Sequence, residues 1–93
     1  MQKYISTYLK HFDLGEQDVI TCEYCLRSGR IDAGGFDIHH IQGRGKGMDA
    51  IGNLVCLCRK CHTRVHDKGE LSKDELLLIH RYFLMGKRIK FRK

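Results

Sequence analysis

The residues of this chain best equipped for chemistry are its cysteines and histidines, and both come in pairs. Cys22-x2-Cys25 and Cys58-x2-Cys61 are two knuckles of equal spacing. Two such pairs can close a tetrahedral zinc site of four thiolates. A single CxxC would leave buried thiols or a redox pair open. Two in one small chain without proline favour a metal. Cys56 is left over. It alternates with Leu54 and reads as a small buried hydrophobe, not a ligand.

There are six histidines, and four of them form two tight clusters. His39 and His40 are adjacent. His62 and His66 are four apart, so on a helix they share one face. Cys61 would point to a neighbouring face, roughly 100° around. One short helix can therefore serve two metal sites. Four thiolates describe a structural site, and three imidazoles with an open fourth position describe a catalytic one. A mixed finger of Cys58, Cys61 and His66 is an alternative, but it strands Cys22 and Cys25. A finger on Cys22 and Cys25 reaches His39 at nearly the right distance, yet wants its second histidine three to five residues later. His40 is adjacent instead. His11 and His80 sit on apolar helices and read as surface or packing residues.

The elements that must position these groups are short. Tyr4, Ile5, Tyr8, Leu9 and Phe12 recur at helical spacing within residues 3–13, and Gly15 is a stop. Val19 to Thr21 forms a strand leading into Cys22. From Cys25 to Phe36 the chain is polar and turn-rich. Phe36 to Ile41 alternates as a strand does. A loop follows, with glycines at 43, 45, 47 and 52 and with Arg44 and Lys46 inside it. Leu54 to Leu57 is a second strand, and Arg59 to His66 fits two turns of helix. In the last helix, Ser72 stands three residues before Glu75, a capping box. Leu76 through Met85 carries the apolar face, and Gly86 ends the helix. The expected fold is α+β: one small domain over 1–93 with a helical segment at 1–18, a zinc-bound core at 19–67, a helix at 72–86 and a basic tail at 87–93. A core this small wants a metal, a disulfide or a partner to stabilise it, so folding is expected to be coupled to zinc.

Charge points to a polyanion. The net charge is +6. Residues 1–38 carry four Lys/Arg against six Asp/Glu, whereas residues 39–93 carry thirteen against five. Five of the last seven residues are basic. Such a field attracts and steers nucleic acid, although a solubilising tail or a membrane-surface anchor would also carry it. The tail has few lipid-seeking side chains, which disfavours the anchor. No stretch is apolar enough to span a membrane. Met1-Gln2-Lys3-Tyr4 lacks a secretory pattern. The expected compartment is the cytoplasm, where lasting disulfides are rare.

The segment from Cys22 to His66 resembles the HNH family, the ββα-metal nucleases. The resemblance rests on Cys22-x2-Cys25, Asp37-Ile38-His39-His40-Ile41, Asn53-Leu54 and Leu57-Cys58-Arg59-Lys60-Cys61-His62 with His66. The chain is most similar to the small free-standing members found in phages and prophages. The resemblance implies a zinc-stabilised ββα-metal, treble-clef-like domain that hydrolyses DNA phosphodiesters in a bacterial or phage-infected cell. By position, it makes His40 the general base and His39, His62 and His66 ligands of a catalytic divalent ion. Asn53 becomes the residue that orders the loop and helps orient the base. Many members have Asp where His39 stands, so this site is similar to the all-imidazole version of bacterial nuclease toxins. His66 is the position where members vary most.

An imidazole accepts a proton near neutral pH, and one divalent ion can stabilise charge on phosphorus and on the departing oxygen. Arg44, Lys46, Arg59, Lys60 and Arg64 are candidate phosphate contacts; for any one of them a solvated surface position is an equal reading. Three histidines suit zinc, nickel or other transition ions, while magnesium prefers oxygen ligands; manganese stays open as well. Two further readings remain at this point. One is a DNA-binding zinc module without chemistry, which gives the histidines no task. The other is a small subunit whose flanking helices dock a protein partner in a DNA-processing complex.

Overall fold

In the computed structural model, residues 3–15, 17–43, 45 and 47–86 are described. The order of elements is α1 (Lys3–His11), β1 (Val19–Thr21), β2 (Ser28–Arg30), β3 (Phe36–His40), β4 (Leu54–Cys58), α2 (Arg59–His66) and α3 (Lys73–Leu84). The strands form two antiparallel hairpins. In the second, Phe36 faces Cys58, Ile38 faces Cys56 and His40 faces Leu54.

That second hairpin is the middle layer, because side chains alternate across it. All five residues of β4 are buried. Leu54 and Cys56 pack with Tyr8, Leu9 and Ile20, joined by Phe36 and Ile38 of β3. Val55 and Leu57 pack on the other face with Cys61, Val65, Leu76 and Ile79 of the two later helices. A strand covered on both faces reads as a continuous apolar run, and Leu54-Val55-Cys56-Leu57-Cys58 is such a run.

The polar stretch after Cys25 is more ordered than turn chemistry alone suggests. It contains β2 and a 3-10 turn over Ile31–Ala33. Ser28-Gly29-Arg30 carries almost no strand propensity, and pairing with β1 supplies the structure. Gly29 is required by packing: a Cβ there would lie 2.8 Å from the Phe36 ring. The capping box of α3 forms as the sequence implies, with Ser72 Oγ accepting from the Glu75 amide and Glu75 accepting from the Ser72 amide.

A fully buried carboxylate ties these layers together. Glu23, inside the first knuckle, accepts from Tyr8 Oη of α1, from the Cys56 amide of β4 and from His80 Nδ1 of α3. His80 Nε2 in turn donates to the Ile51 carbonyl at 2.6 Å. Burial and the Glu23 charge together push the Tyr8 phenol far above its ordinary range. His80 is thus a packing residue, but one that links three elements through hydrogen bonds. No helix among the described residues is long and apolar enough to cross a membrane.

Candidate functional site

The two knuckles meet. The thiols of Cys22, Cys25, Cys58 and Cys61 lie within 4.8 Å of one another. Cys25 Sγ and Cys58 Sγ are 3.9 Å apart. Zinc–sulfur bonds of about 2.3 Å in a tetrahedron place sulfurs about 3.8 Å apart, so the donor set fits zinc. None of the five cysteines is in a disulfide. Local backbone makes the cup: the Cys22 amide bonds the Arg27 carbonyl and the Leu26 amide bonds the Cys22 carbonyl. Burial pushes the Cys22 thiol up to about 11 and drives that of Cys61 well above the usual thiol range. Burial also raises Cys25, but hydrogen bonds from the Arg27 amide and the neighbouring thiols outweigh it and hold that group below its ordinary value. Cys56 stands apart from the cluster, wholly buried on the α1 side, where desolvation makes its thiol inert.

The histidines gather one turn further along α2. Ring centroids of His39 and His62 are 5.1 Å apart, those of His62 and His66 are 5.5 Å apart, and those of His39 and His66 are 5.9 Å apart. With metal–nitrogen bonds of about 2.1 Å and ring centres about 1.1 Å behind the nitrogen, tetrahedral imidazoles place their centroids about 5.2 Å apart. The spacing fits a three-imidazole site. Only the four thiols, among the described residues, bring their ligand atoms within 4.8 Å. The imidazoles thus stand at triad spacing but do not form a ligand cluster comparable to that of the thiols. Two carboxylates flank them. Asp37 Oδ2 is 3.2 Å from His62 Nδ1, and Asp67 Oδ1 is 3.0 Å from His66 Nδ1. A carboxylate on one ring nitrogen fixes the tautomer that leaves the other nitrogen as a donor to metal.

His40 points to the opposite face of the hairpin from His39. Its ring packs on Tyr4 of α1 at 4.6 Å. Nε2 is 2.8 Å from Asp49 Oδ1, and Nδ1 is buried with no hydrogen-bond partner. A carboxylate at Nε2 keeps the hydrogen there and leaves the Nδ1 lone pair open. His39 and His40 nevertheless line one cleft of about 460 Å³, together with His66 and the start of α3. The strand end lets the cleft wrap around both faces.

Asn53 holds the loop that closes this cleft. Its Oδ1 accepts from the Gln42 amide at 2.8 Å, and its Nδ2 donates to the carbonyls of Gly43 at 3.1 Å and Met48 at 2.8 Å. Both ends of the glycine loop are thereby pinned, and Gly43 takes the positive φ (97°) that the bend requires. Asp49, the residue after Met48, is delivered to His40. Asp37 and Asp49 were not picked out by sequence reading. Asp37 carried a signal, because it shares with His39 the i, i+2 face of β3. Asp49 carried none, since its partner is fixed only by the loop fold.

Of the candidate phosphate contacts, Arg59 and Lys60 are exposed at the start of α2. Arg64 is engaged by Glu70 through two hydrogen bonds of 2.7 and 2.6 Å and lies over the Tyr24 ring. Arg44, Lys46 and the basic tail 87–93 lie outside the described residues. A family model described as HNH endonuclease matches residues 22–68, which is half of the chain and includes both knuckles and all four clustered histidines. No curated protein and no solved structure gives a significant match.

Proposed function

The chain belongs to the HNH endonuclease family, and from that premise we propose that it is a metal-dependent DNA endonuclease with His40 as its general base. The observation that carries this reading is that His40, held by Asp49 at Nε2, lines one cleft with His39 and His66. We assign His39, His62 and His66 to a catalytic divalent ion and Cys22, Cys25, Cys58 and Cys61 to structural zinc. The catalytic ion would stabilise charge on phosphorus and on the leaving 3′-oxygen. Mg²⁺, Mn²⁺, Ni²⁺ and Zn²⁺ are its candidates, with the imidazole set favouring a transition ion. We place the catalytic core at 19–67, with the flanking helices as its supports.

The residues of the chain divide the work. His40 Nδ1 takes a proton from the attacking water, while Asp49 at Nε2 stabilises the imidazolium that results. Asn53 keeps Asp49 in place by fixing the loop before it. Asp37 and Asp67 orient His62 and His66. Arg59 and Lys60 supply positive charge at the start of α2, with Arg44 and Lys46 as further phosphate contacts. Arg64 joins them only by leaving Glu70. The substrate is double-stranded DNA, nicked or cut to give 5′-phosphate and 3′-hydroxyl ends. The setting is the cytoplasm of a bacterial or phage-infected cell, where four thiols stay reduced and available to zinc.

The test is end-group analysis of plasmid cleavage by the zinc-loaded protein across the four added metals. Cleavage that depends on an added divalent ion and leaves ends that a ligase can rejoin is the expected result. The absence of cleavage with every metal, on duplex, single-stranded and branched DNA, overturns the proposal in favour of a non-catalytic DNA-binding zinc module.

A further inference from the structure

A second basic cleft lies at the other end of the β3–β4 hairpin, away from the histidines. Its volume is about 380 Å³. Arg27 and Arg30 of the first hairpin form one wall, and Arg59 and Lys60 of α2 form the other. The floor is Gly34 and Gly35, both with positive φ, and neither would bring a Cβ within 4 Å of another atom. Main chain is therefore open to close approach there. We propose that this cleft binds the phosphate backbone of the DNA strand beside the scissile bond, a proposal that rests on the nuclease reading above.

Charge selects the ligand. Four cations meet two carboxylates in the cleft's surroundings. Arg30 pairs with Asp32, and Arg59 Nε stands 3.6 Å from Asp37. That second distance is too long for a hydrogen bond, and the Arg59 side chain is 73 % exposed, so its guanidinium is available to a phosphate. Arg27 and Lys60 form no ion pair with a carboxylate among the described residues, unlike Arg30 and Arg59. Arg64 is the contrast, a cation held by Glu70 at two points. The cleft thus holds Arg30 on Asp32 but leaves Arg27, Arg59 and Lys60 without a hydrogen-bonded carboxylate, on a chain that elsewhere locks Arg64 away.

Spacing selects the place on the strand. Phe36 lines the basic cleft and His39 lines the catalytic one, three residues apart on β3. At a rise of about 3.3 Å per residue the two clefts are about 10 Å apart along the strand. Phosphates on one DNA strand advance about 3.4 Å along the helix axis per step. The second cleft therefore meets the backbone within a few nucleotides of the cut. Arg27 and Arg30 reach it only because the first knuckle brings β2 against Phe36, so the zinc site would also shape the DNA footprint.

The experiment measures duplex binding by the full zinc-loaded chain without added divalent ion, over a range of salt. The variants are R27S/R30S, R27K/R30K and, away from the cleft, R81S. Each phosphate contact contributes about 0.9 to the slope of log affinity against log salt. R27S/R30S should lower that slope by about two on a 20-base-pair duplex, with zinc content and unfolding midpoint unchanged. R27K/R30K should restore it, and R81S should leave it intact. If R27S/R30S keeps both slope and affinity while the wild type cuts DNA, the cleft assignment is wrong and the nuclease reading survives. If the slope falls but the wild type never cuts, the cleft stands as a DNA site and the nuclease reading fails. A loss that R27K/R30K does not rescue marks a packing role for the arginines and overturns the proposal.

Discussion

Cys58 caps α2, and Cys61, His62 and His66 lie within its eight residues, yet the two sets are held in different ways. The thiols are enclosed: three of the four are buried, and backbone hydrogen bonds from the knuckle shape their cup. The imidazoles are more open, with His39 and His62 half-buried and His66 exposed, and carboxylates stand beside His62 and His66. A closed four-donor set suits a metal that is never exchanged, whereas an open three-donor set suits one that must meet substrate. One helix serves both because successive residues, Cys61 and His62, point to different sides. The difference teaches that, under the proposed assignment, burial more than ligand type would separate the structural from the working metal site.

The comparison breaks most visibly on the closed side. Cys58→Ser should cost the protein its zinc and its cooperative unfolding transition, because the metal's binding free energy is folding free energy in such small domains. Cys56→Ala, two residues away, should keep the full zinc content. Elemental analysis of both proteins checks this, and unchanged zinc in Cys58→Ser would remove the residue from the site.

The next largest effect separates the histidines by role. His80→Ala strips a partner from buried Glu23 and should lower stability by about 3 kcal/mol, the scale of breaking a buried ion pair. Urea unfolding of the zinc-loaded protein measures it. His62→Ala, on the open side, should leave the unfolding midpoint nearly unchanged. Equal losses for both variants would erase the distinction between scaffold and site.

A smaller effect sharpens the open side alone. Asp37→Asn should weaken divalent binding at the imidazoles by about 10–100-fold, the usual consequence of losing a carboxylate behind a metal-bound histidine. Calorimetric titration reads this directly, and affinity equal to the wild type would show that Asp37 serves Arg59 instead.

Much of this was legible in the residues themselves. The paired CxxC spacing named the four thiols that the structure brings together, and the i, i+4 spacing put His62 and His66 on one face of α2, with His39 added by the family resemblance. Periodicity placed α2 to the residue and the other helices to within about two. It missed β2, because Ser-Gly-Arg has no strand signature and is held only by β1. His80 was read as surface or packing, and no periodicity could show that it bonds Glu23, 57 positions away. The same limit hid Asp49, whose bond to His40 depends on Asn53 bending a glycine loop. The second basic cleft was half visible: Arg59 and Lys60 stood out beside the motif, whereas Arg27 and Arg30 join them only through the knuckle.

The central claim is that His40 is a base and not a scaffold or ligand residue, and one assay addresses it most directly. Nicking of supercoiled plasmid is followed for wild type and His40→Ala at matched DNA occupancy, with zinc content and divalent affinity measured on the same samples. The account predicts that His40→Ala keeps its fold, its zinc and its affinity for the added ion, yet nicks about 10²–10⁴-fold more slowly, as loss of a positioned general base requires. Nicking by His40→Ala at the wild-type rate across neutral pH would contradict it.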